Sequence, residues 1–245
     1  MQTQPRTVIV TGASSGIGLA LAEAYLKRGW NVVGNARTMA RLQDAATRLG
    51  SPDNFLPVAG DIAQPATAKA LFAQATARFG KVDVLVNNAG IFNAKPFAQY
   101  SSADLDALID TNLKGFVYAT QEAAAHMTRN KSGHIISITA SIALQPNASV
   151  PAALPILIKG GINHATKALA IELAPHNVKV SAVAPGIVDT PLYTPDMHGF
   201  LATLQPAGRL GTTREVVDAV LYLGDAEFTT GVVLPVDGGM SAGKW

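Results

Sequence analysis

The residues best suited to chemistry lie near the N-terminus. Gly12, Gly16 and Gly18, spaced Gly-x-x-x-Gly-x-Gly, follow directly on the β-branched run Thr7–Val10. Ile17, Leu19, Ala20, Leu21 and Ala24 then recur at helical spacing. Glycines let the main chain turn sharply and let a pyrophosphate approach it, and the helix that follows presents free N–H groups and the positive end of its dipole. The same glycines could form an ordinary tight turn. A buried strand before them and a helix after them are the context in which such a motif binds a dinucleotide.

Written Thr11-Gly-Ala-Ser-Ser-Gly-Ile-Gly18, this turn resembles that of the short-chain dehydrogenase/reductase family. The resemblance runs from Thr7 to about Gly239, almost the whole chain. It implies cofactor contacts from Gly12, Ser14, Ser15, Gly16, Ile17 and Gly18. A second strand is read over Asn31–Ala36, and the family's acidic position at its tip falls on Ala36, followed by Arg37. A carboxylate there would repel a 2′-phosphate, whereas a guanidinium grips one with two hydrogen bonds. Arg37, with Arg41 one helical turn on, therefore points to NADP(H); a solvated surface arginine is the alternative.

Further along, Asn54–Gly60 reads as the third strand, closed by Asp61-Ile62, a pair the family places beside the adenine; Asp61 can equally cap a helix. Lys81–Val86 reads as the fourth strand, ended by Asn87-Asn88-Ala89-Gly90, a tetrad that the resemblance implies steadies the central sheet and passes close under the cofactor, the small Ala89 and Gly90 permitting that approach. Leu105–Met127 has long helical periodicity with Asn112 inside it. The family gives this asparagine a water in a proton relay, and a structural bond at a helix kink is compatible with that. Gly133–Thr139 is the fifth strand, and Ser141 stands for the family's substrate serine, one residue later than the commonest spacing, which would fall on Ala140. Val180–Ala184 is the sixth, followed by Pro185-Gly-Ile-Val-Asp-Thr190, where the resemblance implies that Pro185, Gly186, Val188 and Thr190 contact the nicotinamide end. Pro191–Pro206 reads as a lid offering Tyr193 and His198. Glu215–Leu223 reads as a closing helix and Val232–Gly239 as the seventh strand with its terminal turn.

The family's catalytic pair is Tyr-x-x-x-Lys, two residues on one helical face. The tail Thr166–Leu173 fixes the register and places the lysine at Lys159, and four residues earlier stands Pro155. None of the 5 tyrosines has a lysine four residues later. Proline suits the first turn of a helix but handles no proton. The segment Leu144–Pro155 holds three prolines and no charge; with Asn147 and Pro155 it is expected to line a dry substrate pocket, a stiffened loop being the plainer alternative.

With 245 residues, 48% of them hydrophobic and 15% charged, the chain suffices for one well-buried domain over residues 1–245. A net charge of +2 without a basic run argues against nucleic acid, and the lack of cysteine excludes disulfides, thiolate metal sites and thiol catalysis. Met1–Arg6 lacks the pattern of a signal peptide and no apolar run reaches membrane-spanning length, so a cytoplasmic protein is expected. The expected fold is a doubly wound α/β domain, a seven-stranded parallel sheet with helices on both faces. The expected function is an NADP(H)-dependent reductase of a small C=O or C=N substrate, without a metal; the alternative is a non-catalytic NADPH-binding protein. The resemblance also implies a homotetramer or homodimer.

Overall fold

A computed structural model describes residues 5–243. Residues 1–4, part of the stretch read above for a leader, and residues 244 and 245 lie outside the described residues. The chain forms seven strands, β1 (Thr7–Thr11), β2 (Asn31–Ala36), β3 (Phe55–Ala59), β4 (Val84–Asn87), β5 (Gly133–Ile138), β6 (Val178–Pro185) and β7 (Val233–Val236). All pair in parallel, in the order β3-β2-β1-β4-β5-β6-β7. Central strands β1 and β4 are buried at every position, which is why they read as apolar runs rather than alternations. Pro57 and Pro235 interrupt only the two outermost strands, where a missing N–H removes no ladder bond.

Successive residues face opposite sides of the sheet. Val8, Val10 and Val86 pack with helices α1 (Gly16–Lys27), α2 (Met39–Arg48) and α8 (Thr213–Asp225), through Leu21, Tyr25, Leu42 and Val217. Ile9, Leu85 and Ile135 pack on the other face with α3 (Pro65–Phe79), α5 (Gly115–Asn130) and α6 (Ala153–Leu173), through Leu71, Ala119, Met127 and Leu173. Two short helices, α4 (Ser102–Leu108) and α7 (His198–Ala202), complete the set. The winding reverses between β1 and β4, so the loops leaving those two strands part and open a crevice at their C-terminal ends.

Beyond shifts of one or two residues at element ends, such as β6 starting at Val178 and α8 at Thr213, two elements differ from the sequence reading. The long periodic stretch Leu105–Met127 is not one helix: α4 ends at Leu108, Ile109–Lys114 winds as a π-helix, and α5 starts at Gly115. Its cause is Asn112, discussed below. The fourth strand starts at Val84 rather than Lys81, because Asp83 is a tie: its carboxylate accepts the Thr7 N–H at 2.8 Å and pairs with Lys81 at 2.8 Å.

Candidate active site

At the crevice the two parted loops are laced together. The Thr11 hydroxyl accepts the N–H groups of Asn88 and Ala89, each at 3.0 Å, and the Asn88 amide donates to the Thr11 carbonyl oxygen at 2.9 Å. Gly12 and Gly16 have φ of +68° and +53°, a region that disfavours side chains. A Cβ on Gly12 would lie 2.9 Å from the Ala89 Cα, and one on Gly18 would collide with the Gly12 carbonyl oxygen. The glycine spacing is therefore set by packing of α1 against the loop as well as by the turn. Ser15 stands at the N-cap of α1 but makes no capping bond, leaving its hydroxyl and the first-turn N–H groups for a ligand. Ser14 and Ile17 beside it are half-buried. Thr190 sits against this turn, its Cβ 3.5 Å from where a Gly16 Cβ would be, so the segment after β6 closes over the glycines.

Beyond β2, Ala36 is buried and Arg37 is exposed. The Asp61 carboxylate accepts the Ala63 N–H at 3.0 Å, a local turn bond that also orients it, and Ile62 is buried against Gly115. This set fits a dinucleotide: side-chain-free main chain at the helix N-terminus, an apolar residue and a carboxylate at the third strand's tip, and a guanidinium rather than a carboxylate at the second.

Asn112 explains the break in the long helix. Its side-chain oxygen accepts the Ile91 N–H at 2.8 Å and its amide donates to the Ile91 carbonyl oxygen at 2.9 Å. The side chain thus acts as a strand partner for the loop after Gly90, and the π turn carries it inward. Lys159 lies opposite. Its Nζ donates to the Ile138 carbonyl oxygen at 2.8 Å, and desolvation pushes its pKa down to about 8. Thr11, Asn87, Ala89, Asn112, Ser137 and Lys159 line one small polar pocket with Ile138, Phe116 and Ile162.

Pro155 is buried at the third position of α6. The first bond back along this helix comes from the next residue, Ile156 N–H to the Ala152 carbonyl oxygen at 2.9 Å, so the proline removes no helix bond. No tyrosine lines the pocket with Lys159. Tyr25 is in the core beside Trp30, the Tyr100 hydroxyl donates to the Asn93 carbonyl oxygen at 2.6 Å, and Tyr222 is exposed. Tyr193 is half-buried against Ile187 and Leu201, and burial pushes its phenol up.

Ser141 is 1% exposed and its hydroxyl points at the Met240 sulfur, 3.5 Å away, rather than into the pocket with Lys159. Asn147 accepts the Ser149 N–H at 2.8 Å within its own loop. His198 lies 3.6 Å from the Asp189 carboxylate, joining the lid to the turn after β6. That turn is Pro185–Thr190: Val188 bridges to Gly211, and Thr190 donates to the Val188 carbonyl oxygen at 3.4 Å.

Three contributors escaped sequence reasoning. Thr11 laces the crevice, and its position at the end of an apolar strand was the available signal. Gln205, 3% exposed, accepts the Ile187 N–H at 2.9 Å and donates to the Ile187 carbonyl oxygen at 3.1 Å. It clamps the turn after Gly186 as Asn112 clamps the loop after Gly90. Met240 reaches Ser141 from the C-terminal turn. Neither had a local signal, since their partners are 18 and 99 residues away.

The family model for short chain dehydrogenases matches residues 6–198. The cis-4-hydroxycyclohexanecarboxylate dehydrogenase of Sinomonas cyclohexanicum is 36% identical over 253 residues, covering 97% of each chain. The 3-oxoacyl-(acyl-carrier-protein) reductase of Vibrio cholerae is 34% identical, covering 98% of this chain and 99% of its own. Among solved structures, ElxO with NADP bound superposes at a TM-score of 0.92 with 27% identity, over 98% of this chain and 100% of that one. The 3-ketoacyl-(acyl-carrier-protein) reductase of Brucella melitensis, complexed with NADH, does so at 0.91 with 33% identity, over 97% and 99%.

Proposed function

The chain belongs to the short chain dehydrogenase family, and we propose that within it the protein is an NADP(H)-dependent oxidoreductase acting on a small C=O or C=N substrate. The observation that carries this reading is the buried Lys159 held against Ile138 beside the laced crevice, with Pro155 one turn before it. Bound NADPH supplies a hydride. Arg37 grips its 2′-phosphate, the glycine turn and Ser14 and Ser15 take the pyrophosphate, and Asp61 and Ile62 flank the adenine. Lys159 holds the ribose, and Pro185, Gly186, Val188 and Thr190 hold the nicotinamide end. That ElxO, similar in structure, has NADP bound supports NADP(H) as the cofactor.

Pro155 supplies no proton. A well-placed general acid is worth roughly 10²–10⁴-fold, so its lack weighs most on a neutral ketone, whose developing alkoxide needs one. An iminium ion already carries its positive charge, and its amine product needs no proton at the reduced atom. The site therefore suits C=N substrates. For a carbonyl, the proton comes from Lys159 or from a water held by Asn112, with Ser141, Asn147, Tyr193 and His198 shaping the substrate end.

A second reading, a non-catalytic NADPH-binding protein, is favoured by the same Pro155. The two separate on one experiment: NADPH oxidation against a panel of ketones and cyclic imines. Turnover of an imine supports the first reading; NADPH binding with no turnover of any member supports the second.

A further inference from the structure

Asn35 joins the three segments to which the proposed function assigns the adenosine end of the cofactor. It stands near the tip of β2, between Gly34 and Ala36, and is 2% exposed. The two N–H donors of its amide have two acceptors, the carbonyl oxygens of Val58 in β3 and of Gly60 just beyond it, each at 3.1 Å. Its own carbonyl oxygen accepts the N–H of Ala13, from the glycine turn, at 2.8 Å. Beside it, the Ala36 carbonyl oxygen accepts the Gly60 N–H at 3.0 Å. Gly60 is therefore gripped through both of its main-chain polar groups by two successive residues of β2.

Main-chain pairing already aligns Asn35 with Val58 and Ala36 with Ala59, so the ladder is complete without this side chain. A buried amide is costly unless its polar groups are paired, and an apolar residue would fill the position more simply. What the amide adds is a fixed spacing past the end of the ladder. The next residue on one side is Arg37; on the other it is Asp61, whose carboxylate is oriented by the Ala63 N–H. We propose that Asn35 is a positioning residue for the choice of cofactor: it holds the tip of β2 against the end of β3, so that Arg37, Asp61 and the glycine turn meet one ligand together. This rests on the NADP(H) reading of those three groups. Asn35 is itself enclosed and acts through its neighbours. The two-point grip of a guanidinium on a phosphate depends on its geometry. Only NADPH carries the 2′-phosphate, so loosening the tip weakens NADPH more than NADH.

The test compares the full native chain with Asn35→Ala, which removes both side-chain bonds, and Asn35→Thr, whose hydroxyl can donate to one carbonyl. Each is titrated with NADPH, NADH, adenosine 2′,5′-bisphosphate and reduced nicotinamide mononucleotide. Asn35→Ala is expected to raise the Kd of NADPH and of the bisphosphate about tenfold and that of NADH about threefold or less. The mononucleotide, which does not reach the adenosine end, should bind as before, and Asn35→Thr should recover part of the loss. Amide hydrogen exchange of the cofactor-free Asn35→Ala protein should speed up at Gly60 and Asp61. Should that variant not fold, a lowered preference of Asn35→Thr for NADPH over NADH carries the same result. A merely structural asparagine would change stability while leaving that preference unmoved. An unaltered preference in the folded variants therefore overturns the inference, as does equal weakening of NADPH and NADH. The NADP(H) reading survives either outcome. Native protein that binds neither NADPH nor the bisphosphate defeats that reading, and the inference with it.

Discussion

Lys159 sets its ammonium 2.8 Å from the carbonyl oxygen of Ile138, the last residue of β5. This bond pins α6 to the strand end at the crevice and fixes the register that puts Pro155 one turn earlier on the same face. The cation is buried and its hydrogen-bond partner is a neutral dipole, so the fold carries it at a cost. Such a cost is expected where a group serves a ligand.

Replacing it should separate binding from stability. Lys159→Met keeps the length and volume of the side chain without the charge. NADPH affinity is expected to fall about tenfold or more, while the cofactor-free protein unfolds at the same or a higher denaturant concentration. Unchanged NADPH affinity in a titration would show that the register, and the role given to Lys159, are wrong.

The same burial gives a pH dependence. Below about pH 8, Lys159 is protonated in both folded and unfolded chains and its full burial cost is present. Between about 8 and its ordinary value of 10.5, the folded protein has released a proton that the unfolded chain retains. Stability contributed by this residue therefore rises with pH across that window, by on the order of 3 kcal/mol. Urea midpoints of the cofactor-free native protein, relative to Lys159→Met, should climb from pH 7.5 to 10. A difference that stays flat or falls counts against the buried cation.

Arg37 should decide between cofactors. It is exposed beyond the buried Ala36, with no carboxylate at the tip of β2. Arg37→Ala is expected to weaken NADPH by roughly tenfold to a hundredfold, the worth of a charge-assisted hydrogen bond of about 1.5–3 kcal/mol, and to leave NADH almost untouched. Fluorescence titrations of native protein that gave equal affinities for NADH and NADPH would remove the basis for this role.

What could be read in advance was local, and what could not was distant. Gly12, Gly16 and Gly18 announce themselves because a tight turn and a close helix constrain them within seven residues. Lys159 was placed by counting from Thr166 on the same helix, and the structure puts it in the pocket. The apolar runs of the central strands likewise gave the sheet, since burial on both faces leaves no alternation to misread. The π turn had only a partial signal, an asparagine at position 112 that suits a helix kink. Periodicity continues through it, and the cause, Asn112 holding Ile91, spans 21 residues. Ser141 shows the same limit: its sequence position names a strand end, but Met240 from the C-terminal turn decides where its hydroxyl points.

Gln205 offers a check on the second clamp. Its amide makes three bonds, two to Ile187 and one to the Arg209 carbonyl oxygen at 2.6 Å. Gln205→Ala leaves the buried Ile187 N–H unpaired, at about 1–3 kcal/mol, while the Ile187 carbonyl oxygen keeps the Gly211 N–H at 2.9 Å. The turn after Gly186 should loosen, raising the Kd for NADPH and speeding proteolysis between residues 191 and 206. Unchanged proteolysis and affinity would show that the turn holds itself.

Pro155 carries the sharpest prediction. Pro155→Tyr places a phenol one turn before Lys159 on the same face. The proline makes no helix bond, so the backbone part of the change should cost about 1 kcal/mol through the entropy of the unfolded chain, and fitting the larger ring at this buried position adds an overpacking cost of about 1–3 kcal/mol. The Lys159 ammonium nearby would lower the phenol from its ordinary pKa of about 10. The variant is expected to gain reduction of simple ketones, well short of the roughly 10²–10⁴-fold of a tuned general acid, because small misplacements of a proton donor are costly. Reduction of a cyclic imine should fall or stay level, since the ring fills space that the proline leaves. NADPH oxidation by native and variant protein, against one ketone and one cyclic imine, measures all four rates. If the native protein reduces the ketone briskly and the variant is slower on both, another acid is already in place, and Pro155 does not turn the site toward C=N substrates.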